Sequence, residues 1–318
     1  MVSRRALAGE RSGDTKGVGQ PTPWRGYTSA TVPIAVIAFD FDPLIHFADD
    51  LTVRWQTVAL AAVVALCLAT AGVVARRHGL RPDDLLYIVI GAVPGAVVGG
   101  RIGYSLIVPD AFAAGPLALF DPAVGGMELG LATLGGLVTG WVIAALLGAP
   151  PRAWAHVLAI PLLVAIAAGK LTMVLGGSGQ GRPFDGTWAT AYLGPGPWVD
   201  LAADVPSHPA QVYEGIGTMA IALLVLVAAS AGAFRSRDGS RLLAGVAGWA
   251  VVRAIVSTTW RDPVATAPLP VGGLIAIAIA ALCLIAVGIV SVWWPRRARA
   301  RAESAQPAWP EPETRPPF

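Results

Sequence analysis

The sequence predicts an all-α membrane protein, a polytopic bundle of about seven transmembrane helices. Hydrophobic residues make up 55% of its 318 residues and charged residues only 14%, a composition too apolar for a soluble domain of this length. A helix of ~20 apolar residues crosses a hydrocarbon core of about 30 Å. Such runs fall near 54–75, 85–108, 129–148, 154–176, 210–233, 242–260 and 269–294.

Arginines between the apolar runs predict the orientation of the bundle. With seven spans, the arginine-rich connections all fall on one side of the membrane, at 76–81, 152, 235–241 and 296–301. Cytoplasmic loops are enriched in Lys and Arg. The N-terminus is therefore predicted outside and the C-terminus in the cytoplasm.

The polar segments predict the domain organisation. Residues 1–30 lack the apolar core of a signal peptide and are predicted to be a disordered leader. Residues 31–295 form the membrane domain, and the Pro- and Glu-rich segment 296–318 is predicted to be a disordered cytoplasmic tail. Within the domain, 30–53 is expected to form a short strand or amphipathic lead-in at the outer surface. The Gly-, Pro- and Trp-rich segment 177–208 suits a rim over a site, or an irregular loop.

Ionisable residues in the apolar runs are the main functional signal. Arg101, Lys170 and Arg253 lie inside such runs. Others lie at the ends of runs: Arg182, His208, Glu214 and Arg261. A charge in mid-membrane costs several kcal/mol unless it is paired or functional. Several cations at one side of the membrane indicate an anionic lipid headgroup as ligand, and no nucleic-acid partner is expected.

The cysteines and histidines do not suggest a metal site or cofactor. Cys67 and Cys283 lie in separate apolar runs and are expected to pack as small apolar residues. The four histidines lack an HExxH or comparable spacing. No disulfide framework, metal or cofactor is therefore expected.

The second apolar run combines a glycine face with a charge. Four glycines recur every four residues, at Gly91, Gly95, Gly99 and Gly103. This spacing places bare backbone along one helix face, which favours close approach of a neighbouring helix. Arg101 and Tyr104 follow near the outer end and are interpreted as headgroup contacts. Snorkelling of Arg101 to the interface is the alternative.

Lys170 is one of only two lysines in the chain and lies in an apolar run. An ammonium is a compact phosphate binder, and the GGSGQG that follows it offers backbone N–H groups for an oxyanion. Arg182 closes the segment. A helix end followed by a turn explains the glycines equally well.

The fifth run opens with SHPAQVYEG. Pro209 is predicted to begin the helix, with His208 just before it and Gln211, Tyr213 and Glu214 in its first turns. The acidic Glu214 suits the positive end of a helix. His208 is either a general base near neutral pH or a hydrogen-bond partner at the helix entry.

Together these segments resemble the prolipoprotein diacylglyceryl transferase family of bacterial plasma membranes. The resemblance runs in order from about 34 to 290. Its motifs are LTVRW, GGRIGY at 99–104, GGM at 125–127, a Gly-Lys turn ending in GQGRP at 169–183, HPAQVYE at 208–214 and VVRAIVSTTWRDP at 251–263.

The resemblance implies a reaction, its substrates and a location. Such enzymes transfer the diacylglyceryl group of phosphatidylglycerol to the lipobox cysteine of a preprolipoprotein signal peptide and release glycerol phosphate. Cations stabilise the departing phosphate, and a thiolate is the nucleophile. The expected partners are phosphatidylglycerol, preprolipoproteins and membrane lipids, without a metal. The expected location is the bacterial plasma (inner) membrane, which the protein crosses several times.

The resemblance also assigns residues. The catalytic candidates are Lys170, His208, Glu214 and Arg253. The substrate-binding candidates are Arg101, Tyr104, Gly181, Arg182, Gln211, Tyr213 and Arg261.

The chain departs from the family pattern at polar positions. The family turn reads Gly-Arg-x-Gly-Asn-Phe, whereas this chain has Gly-Lys-Leu-Thr-Met-Val at 169–174. Residues usual in the family are also replaced elsewhere: a glutamate by Ser178, a histidine by Gly130, a tyrosine by Gln56 and a glutamate by Ser257. Two alternatives to a transferase therefore stay open. One is a catalytically inactive relative that binds anionic lipid, and the other is a lipid transporter-like protein.

Overall fold

The computed structural model describes residues 36–48, 51–113, 115–121, 124–234 and 238–305. In these residues it has seven helices long and apolar enough to cross a membrane, which confirms the predicted seven-span bundle. They are α1 (Trp55–Arg77), α2 (Pro82–Ile107), α3 (Leu129–Leu146), α4 (Pro151–Thr172), α5 (Ala210–Ser230), α6 (Ser240–Ser257) and α7 (Val271–Ala305).

The predicted leader lies outside the described residues. The predicted tail is described only in part, since α7 continues as helix past 296 to Ala305 and 306–318 lie outside the described residues.

Local sequence signals account for several helix ends. Pro82 and Pro151 occupy the first turns of α2 and α4, where the missing N–H of proline costs no hydrogen bond. After α1, Gly79 adopts a left-handed conformation with φ of +74°, which reverses the chain into α2. α5 begins directly after Pro209, as predicted.

The glycine face of α2 packs against α3. A Cβ at Gly95 would meet the Gly135 carbonyl and the Thr139 side chain, and a Cβ at Gly99 would meet the Leu131 carbonyl. The two backbones therefore touch, as the four-residue glycine spacing predicts. This contact fixes α2 and α3 as a tight pair.

The remaining helices surround an apolar core. Trp249 of α6, Leu163 of α4 and Val246 of α6 are almost fully buried at its centre. A second core lies around Trp154, where α4 meets residues of α1 and α2. The outward faces carry exposed apolar residues such as Leu146, 76% exposed, as expected of surfaces that face lipid.

Short strands and loops gather at one end of the bundle, called here the loop end. β1 (Ile37–Phe39) pairs in parallel with β4 (Thr190–Tyr192), and β2 (Leu44–Ala48) pairs antiparallel with β3 (Leu51–Arg54). β5 (Val264–Thr266) and β6 (Leu269–Pro270) form a hairpin before α7. The strands before α1 confirm the strand predicted in the lead-in. The opposite end, with the α1–α2 and α3–α4 connections, is called the arginine end.

Replacing Gly135 by alanine is expected to destabilise the protein by about 1–3 kcal/mol, because its Cβ would press on the Gly95 carbonyl of an adjacent helix backbone. Gly288→Ala on α7 is the control, since nothing lies within 4 Å of a Cβ there. Thermal unfolding in detergent measures both. Equal stability of the two variants would contradict close backbone packing of α2 on α3.

Candidate active site

The bundle contains a buried ion network that joins four helices. Glu214 of α5 lies 2.9 Å from the Lys170 ammonium of α4 and 2.9 Å from Nη1 of Arg253 on α6. Nη2 of Arg253 lies 2.8 Å from the carboxylate of Glu128, at the start of α3. Both carboxylates and the Arg253 guanidinium are almost fully buried. The structure thus brings together three site residues predicted from the sequence, Lys170, Glu214 and Arg253. The fourth member, Glu128, was not predicted.

The network balances its own charge. Two cations face two anions, and each carboxylate also accepts hydrogen bonds from other groups. Glu214 accepts from the Trp249 indole at 3.2 Å, and Glu128 accepts from the backbone N–H groups of Gly130 and Leu131 at 2.7 and 2.6 Å. Charges can be buried in this way because every member has opposite charge and hydrogen bonds around it. The position of Glu214 is therefore explained by its ion pairs as well as by the helix end.

The guanidinium of Arg253 also packs against aromatic rings. Its Cζ lies 4.6 Å from the centre of the Trp260 ring and 5.9 Å from that of Trp249. An arginine has five N–H donors in a fixed plane. Among the described residues, Nε of Arg253 is buried and has no hydrogen-bond partner. This donor is available to a ligand.

A second cluster lies beside the network, in the segment between α4 and α5. The backbone N–H of Gly181 donates to the His208 carbonyl at 2.7 Å, and that of His208 donates to the Arg182 carbonyl at 3.0 Å. Arg182 Nε donates to the carbonyl of Trp260 at 2.8 Å. Trp260 thus contacts both arginines, Arg182 through its carbonyl and Arg253 through its ring. Within the described part of the chain, Nη2 of Arg182 is buried without a hydrogen-bond partner.

Gly181 lacks space for any side chain. A Cβ there would meet the Thr259 carbonyl and the Cβ of His208. Glycine therefore allows the 181–182 backbone to lie against the end of α6. Its role is to bring Arg182 close to Trp260.

His208 is stacked and hydrogen-bonded at the edge of this cluster. Its ring lies 4.0 Å from that of Phe184, and its Nδ1 lies 3.3 Å from the Tyr213 hydroxyl. That hydroxyl accepts a hydrogen bond from the half-exposed Trp188 at 2.7 Å. Burial and the nearby Arg182 guanidinium lower the pKa of His208 below its ordinary value of 6.5. His208 is therefore neutral at pH 7 and able to accept a proton.

Arg261 ties the loop segments together. It donates to the Gly181 carbonyl at 2.7 Å, the Leu201 carbonyl at 2.6 Å and the Ser207 hydroxyl at 3.0 Å. These contacts fix the 177–208 segment next to the end of α6.

Gln211 is buried next to the loop segment. Its amide nitrogen lies 3.3 Å from the Tyr192 hydroxyl. Its carbonyl oxygen has no partner among the described residues, so it remains available to a donor on a ligand.

Arg101 and Tyr104 contact a different segment. The guanidinium of Arg101 donates to five backbone carbonyls in 118–126, including that of Leu119 at 2.9 Å and that of Asp121 at 2.5 Å. Tyr104 packs edge-on against Phe112 with ring centres 6.0 Å apart. Neither side chain has a described contact with the ion network. The headgroup role predicted for both stays a prediction, and the contacts of Arg101 give it a structural role.

Two of the unusual positions contact each other. The hydroxyl of Ser178 lies 3.2 Å from the side-chain oxygen of Gln56. A Cβ at Gly176 would also collide with this Gln56 oxygen. Gln56 and Ser178 therefore form one hydrogen-bonded pair.

Glu128 and the two tryptophans are the network residues that sequence reasoning missed. Glu128 is the only acidic residue between Asp121 and Asp185, and this isolation directly before an apolar run is the signal that marks it. Trp249 precedes Arg253 by four residues, the spacing of neighbours on one helix face. Trp260 lies beyond α6 and carries no such signal.

An apolar cavity of about 390 Å³ lies among α1, α2, α3 and α4. It extends from Ala144 and Pro151 at the arginine end to Leu129 and Thr133, next to Glu128. Ligand pockets in proteins have volumes of this order. The residues that line the cavity are mostly apolar, as an acyl chain of a lipid is.

These features define a class. The protein is a polytopic membrane protein with a buried, charge-neutral ion network, with adjacent arginine donors that have no partner among the described residues, and with a separate apolar cavity among α1, α2, α3 and α4.

The comparison with known families narrows this class. The family model described as prolipoprotein diacylglyceryl transferase matches residues 43–294, and the chain belongs to this family. Similar proteins include the phosphatidylglycerol–prolipoprotein diacylglyceryl transferase of Agrobacterium fabrum, 26% identical over 289 residues that cover 87% of this chain and 99% of the relative. That of Methylocella silvestris is 29% identical over 280 residues, covering 83% and 98%. That of Rhodospirillum centenum is 30% identical over 235 residues, covering 70% and 80%.

Arg101→Lys is expected to loosen the 116–121 and 124–127 segments, because an ammonium cannot reproduce a planar guanidinium that donates to five carbonyls. Amide hydrogen exchange should become at least about tenfold faster in these segments and stay unchanged in α5. The control is Ser105→Ala, because Ser105 is only partly buried and its hydroxyl donates to the Ile102 carbonyl of its own helix. Unchanged exchange in Arg101→Lys would show that Arg101 does not hold the segment.

The lowered pKa of His208 predicts a loss of stability at acidic pH. As the pH falls below 6.5, the unfolded chain takes up the proton before the folded protein does, so the folded protein loses stability below that pH and not above it. The drop in melting temperature from pH 7.5 to 5 should be smaller in His208→Gln than in the wild type. His46→Gln, at an exposed histidine, should behave as the wild type does. Equal drops in all three proteins would contradict the prediction.

Proposed function

We propose that this chain transfers the diacylglyceryl group of phosphatidylglycerol to the lipobox cysteine of preprolipoproteins. The observation that carries the proposal is a pair of buried donors beside the ion network, Nε of Arg253 and Nη2 of Arg182, for which the described part of the chain offers no hydrogen-bond partner. Both arginines contact Trp260. A buried N–H without a partner is costly, so a ligand oxygen at this place removes the cost. The phosphodiester of a membrane lipid supplies such an oxygen.

The phosphate is also the leaving group. The cysteine sulfur attacks the carbon of the diacylglyceryl group that is bonded to the phosphate oxygen. A C–S bond forms and this C–O bond breaks, so the other glycerol leaves as glycerol phosphate. Negative charge grows on the phosphate as this bond breaks. Arginine donors fixed before the reaction stabilise that charge.

His208 is the better candidate for the base that takes the thiol proton. Its ring is neutral at pH 7, as argued above, and it lies at the edge of the site next to Tyr213. The carboxylate of Glu214 already accepts from Lys170, Arg253 and Trp249, so its oxygens are engaged in holding these groups. We assign Glu214 to holding the two cations rather than to proton transfer.

The same proposal gives the protein a location and an orientation in the membrane. The arginine end faces the cytoplasm, and the loop end with the ion network faces outward from a bacterial plasma membrane. The signal peptide of a preprolipoprotein then approaches from the outer side, beneath the 177–208 segment. The acyl chains of phosphatidylglycerol extend from the network into the membrane-embedded part of the bundle, for which the apolar cavity offers space.

A transfer assay tests the function. Purified protein is supplied with labelled phosphatidylglycerol and a lipobox peptide, and the thioether product is measured. Arg253→Gln and Arg182→Gln are each expected to reduce kcat by about 10²–10³-fold, the effect of removing one donor to a developing negative charge. Arg77→Gln is the matched control, because this exposed arginine lies at the opposite end of the bundle and should leave kcat unchanged.

Other outcomes identify the alternatives. Protein that binds phosphatidylglycerol, loses this binding in Arg253→Gln and gives no product is an inactive lipid-binding relative. Protein that moves labelled lipid across a vesicle membrane without forming thioether is a transporter. Either result rejects the transferase proposal.

A further inference from the structure

We infer that Glu128 is a positioning residue that selects which edge of the Arg253 guanidinium is presented to the substrate phosphate. The inference rests on the proposed function, since it concerns the same site. It concerns a residue outside the set that the sequence motifs assign.

The geometry at Arg253 leaves one edge for a ligand. Glu214 accepts from Nη1 through both of its oxygens, at 2.9 and 3.2 Å. Glu128 accepts from Nη2 at 2.8 Å. Trp260 covers one face of the plane. The buried donor of Arg253 that has no partner among the described residues is Nε, which lies at one edge of the planar guanidinium.

Glu128 is itself held rigidly enough to set that orientation. Its carboxylate caps α3 by accepting from Gly130 and Leu131, and its backbone N–H donates to the Gly100 carbonyl of α2 at 2.9 Å. A Cβ at Gly103 would lie 2.6 Å from the Cβ of Glu128. The side chain therefore fits only because α2 has glycine at this point, and both α2 and α3 fix its place.

The nearby unusual positions explain why this carboxylate comes from α3. Ser257 is fully buried, and its hydroxyl occupies the space of a Cβ at Gly273. Ser257 therefore packs against α7 and supplies no carboxylate to Arg253. A Cβ at Gly130 would lie 3.0 and 3.1 Å from the two oxygens of Glu128. Glycine at 130 and glutamate at 128 therefore belong together.

The charge of Glu128 gives the role a kinetic signature. With Glu128 ionised, the network of Lys170, Arg253, Glu214 and Glu128 carries no net charge. Glu128→Gln leaves it with one positive charge in excess and weakens the hold on Nη2 of Arg253, because one amide oxygen must replace two carboxylate oxygens that accept from Arg253, Gly130 and Leu131. An excess positive charge strengthens binding of an anionic phosphate, whereas a misaligned guanidinium stabilises the transition state less.

The test compares three full-length variants in the transfer assay. Glu128→Gln is expected to lower kcat about tenfold or more while the KM for phosphatidylglycerol falls about threefold, because binding and catalysis change in opposite directions. Glu128→Asp keeps the charge and is expected to lower kcat with KM unchanged, because its carboxylate is one methylene further from Arg253. Asp238→Asn is the matched control. Asp238 accepts a hydrogen bond from the backbone N–H of Ser240 at the start of α6, the end of that helix away from Arg253, so this variant should leave kcat and KM unchanged.

A purely structural role for Glu128 gives a different result. Loss of the α3 cap alone lowers the folded fraction and hence Vmax, with KM unaltered in Glu128→Gln. That result overturns the inference, as does a kcat within about twofold of the wild type in both Glu128 variants.

A thermal double-mutant cycle separates this inference from the proposed function. Glu128→Gln leaves Arg253 with excess charge, so adding Arg253→Gln should restore part of the lost melting temperature. If the wild type gives no thioether, the transferase proposal fails, and the cycle still decides whether Glu128 holds Arg253. Additive shifts in melting temperature reject the positioning role.

Discussion

The burial of Arg253 between two carboxylates is the constraint on which the rest of the structure depends. An unpaired charge in this place costs several kcal/mol, so helices that supply partners must stay in place around it. Glu214 comes from α5, Glu128 from the start of α3, and Lys170 reaches Glu214 from α4. One guanidinium therefore fixes the relative position of four helices at the loop end. The glycine contact of α2 with α3 extends this constraint to a fifth.

Two of the departures from the family pattern contact each other, and a third lies beside the ion network. Ser178 contacts Gln56, and Gly130 leaves room for the carboxylate of Glu128. A change at one position of each pair alters the space or the hydrogen bond offered to the other. Arg253 has two carboxylate partners, Glu214 and Glu128, although Ser257 provides none.

The sequence predicts the membrane-spanning helices well, but it predicts poorly which side chains contact each other. All seven helices follow from hydropathy, because a lipid-facing helix must be apolar along its whole length. Lys170, Glu214 and Arg253 were recognisable because a charge stands out in an apolar run. Glu128 was missed because it lies just outside a run and pairs with a residue 125 positions away. The partners of Arg101 were also unpredictable, since backbone carbonyls of a loop leave no trace in the side-chain pattern.

The neutrality of the network bears on how it can act on a phosphate. A network without net charge exerts little long-range attraction of its own on an anionic headgroup. It instead offers donors whose positions are already fixed, so their orientation costs nothing when charge develops on the leaving group. Such donors stabilise the departing phosphate, which carries two negative charges, more strongly than the bound phosphodiester, which carries one. In the proposed transferase, such a network favours the transition state over the bound lipid, which is the difference that accelerates a reaction.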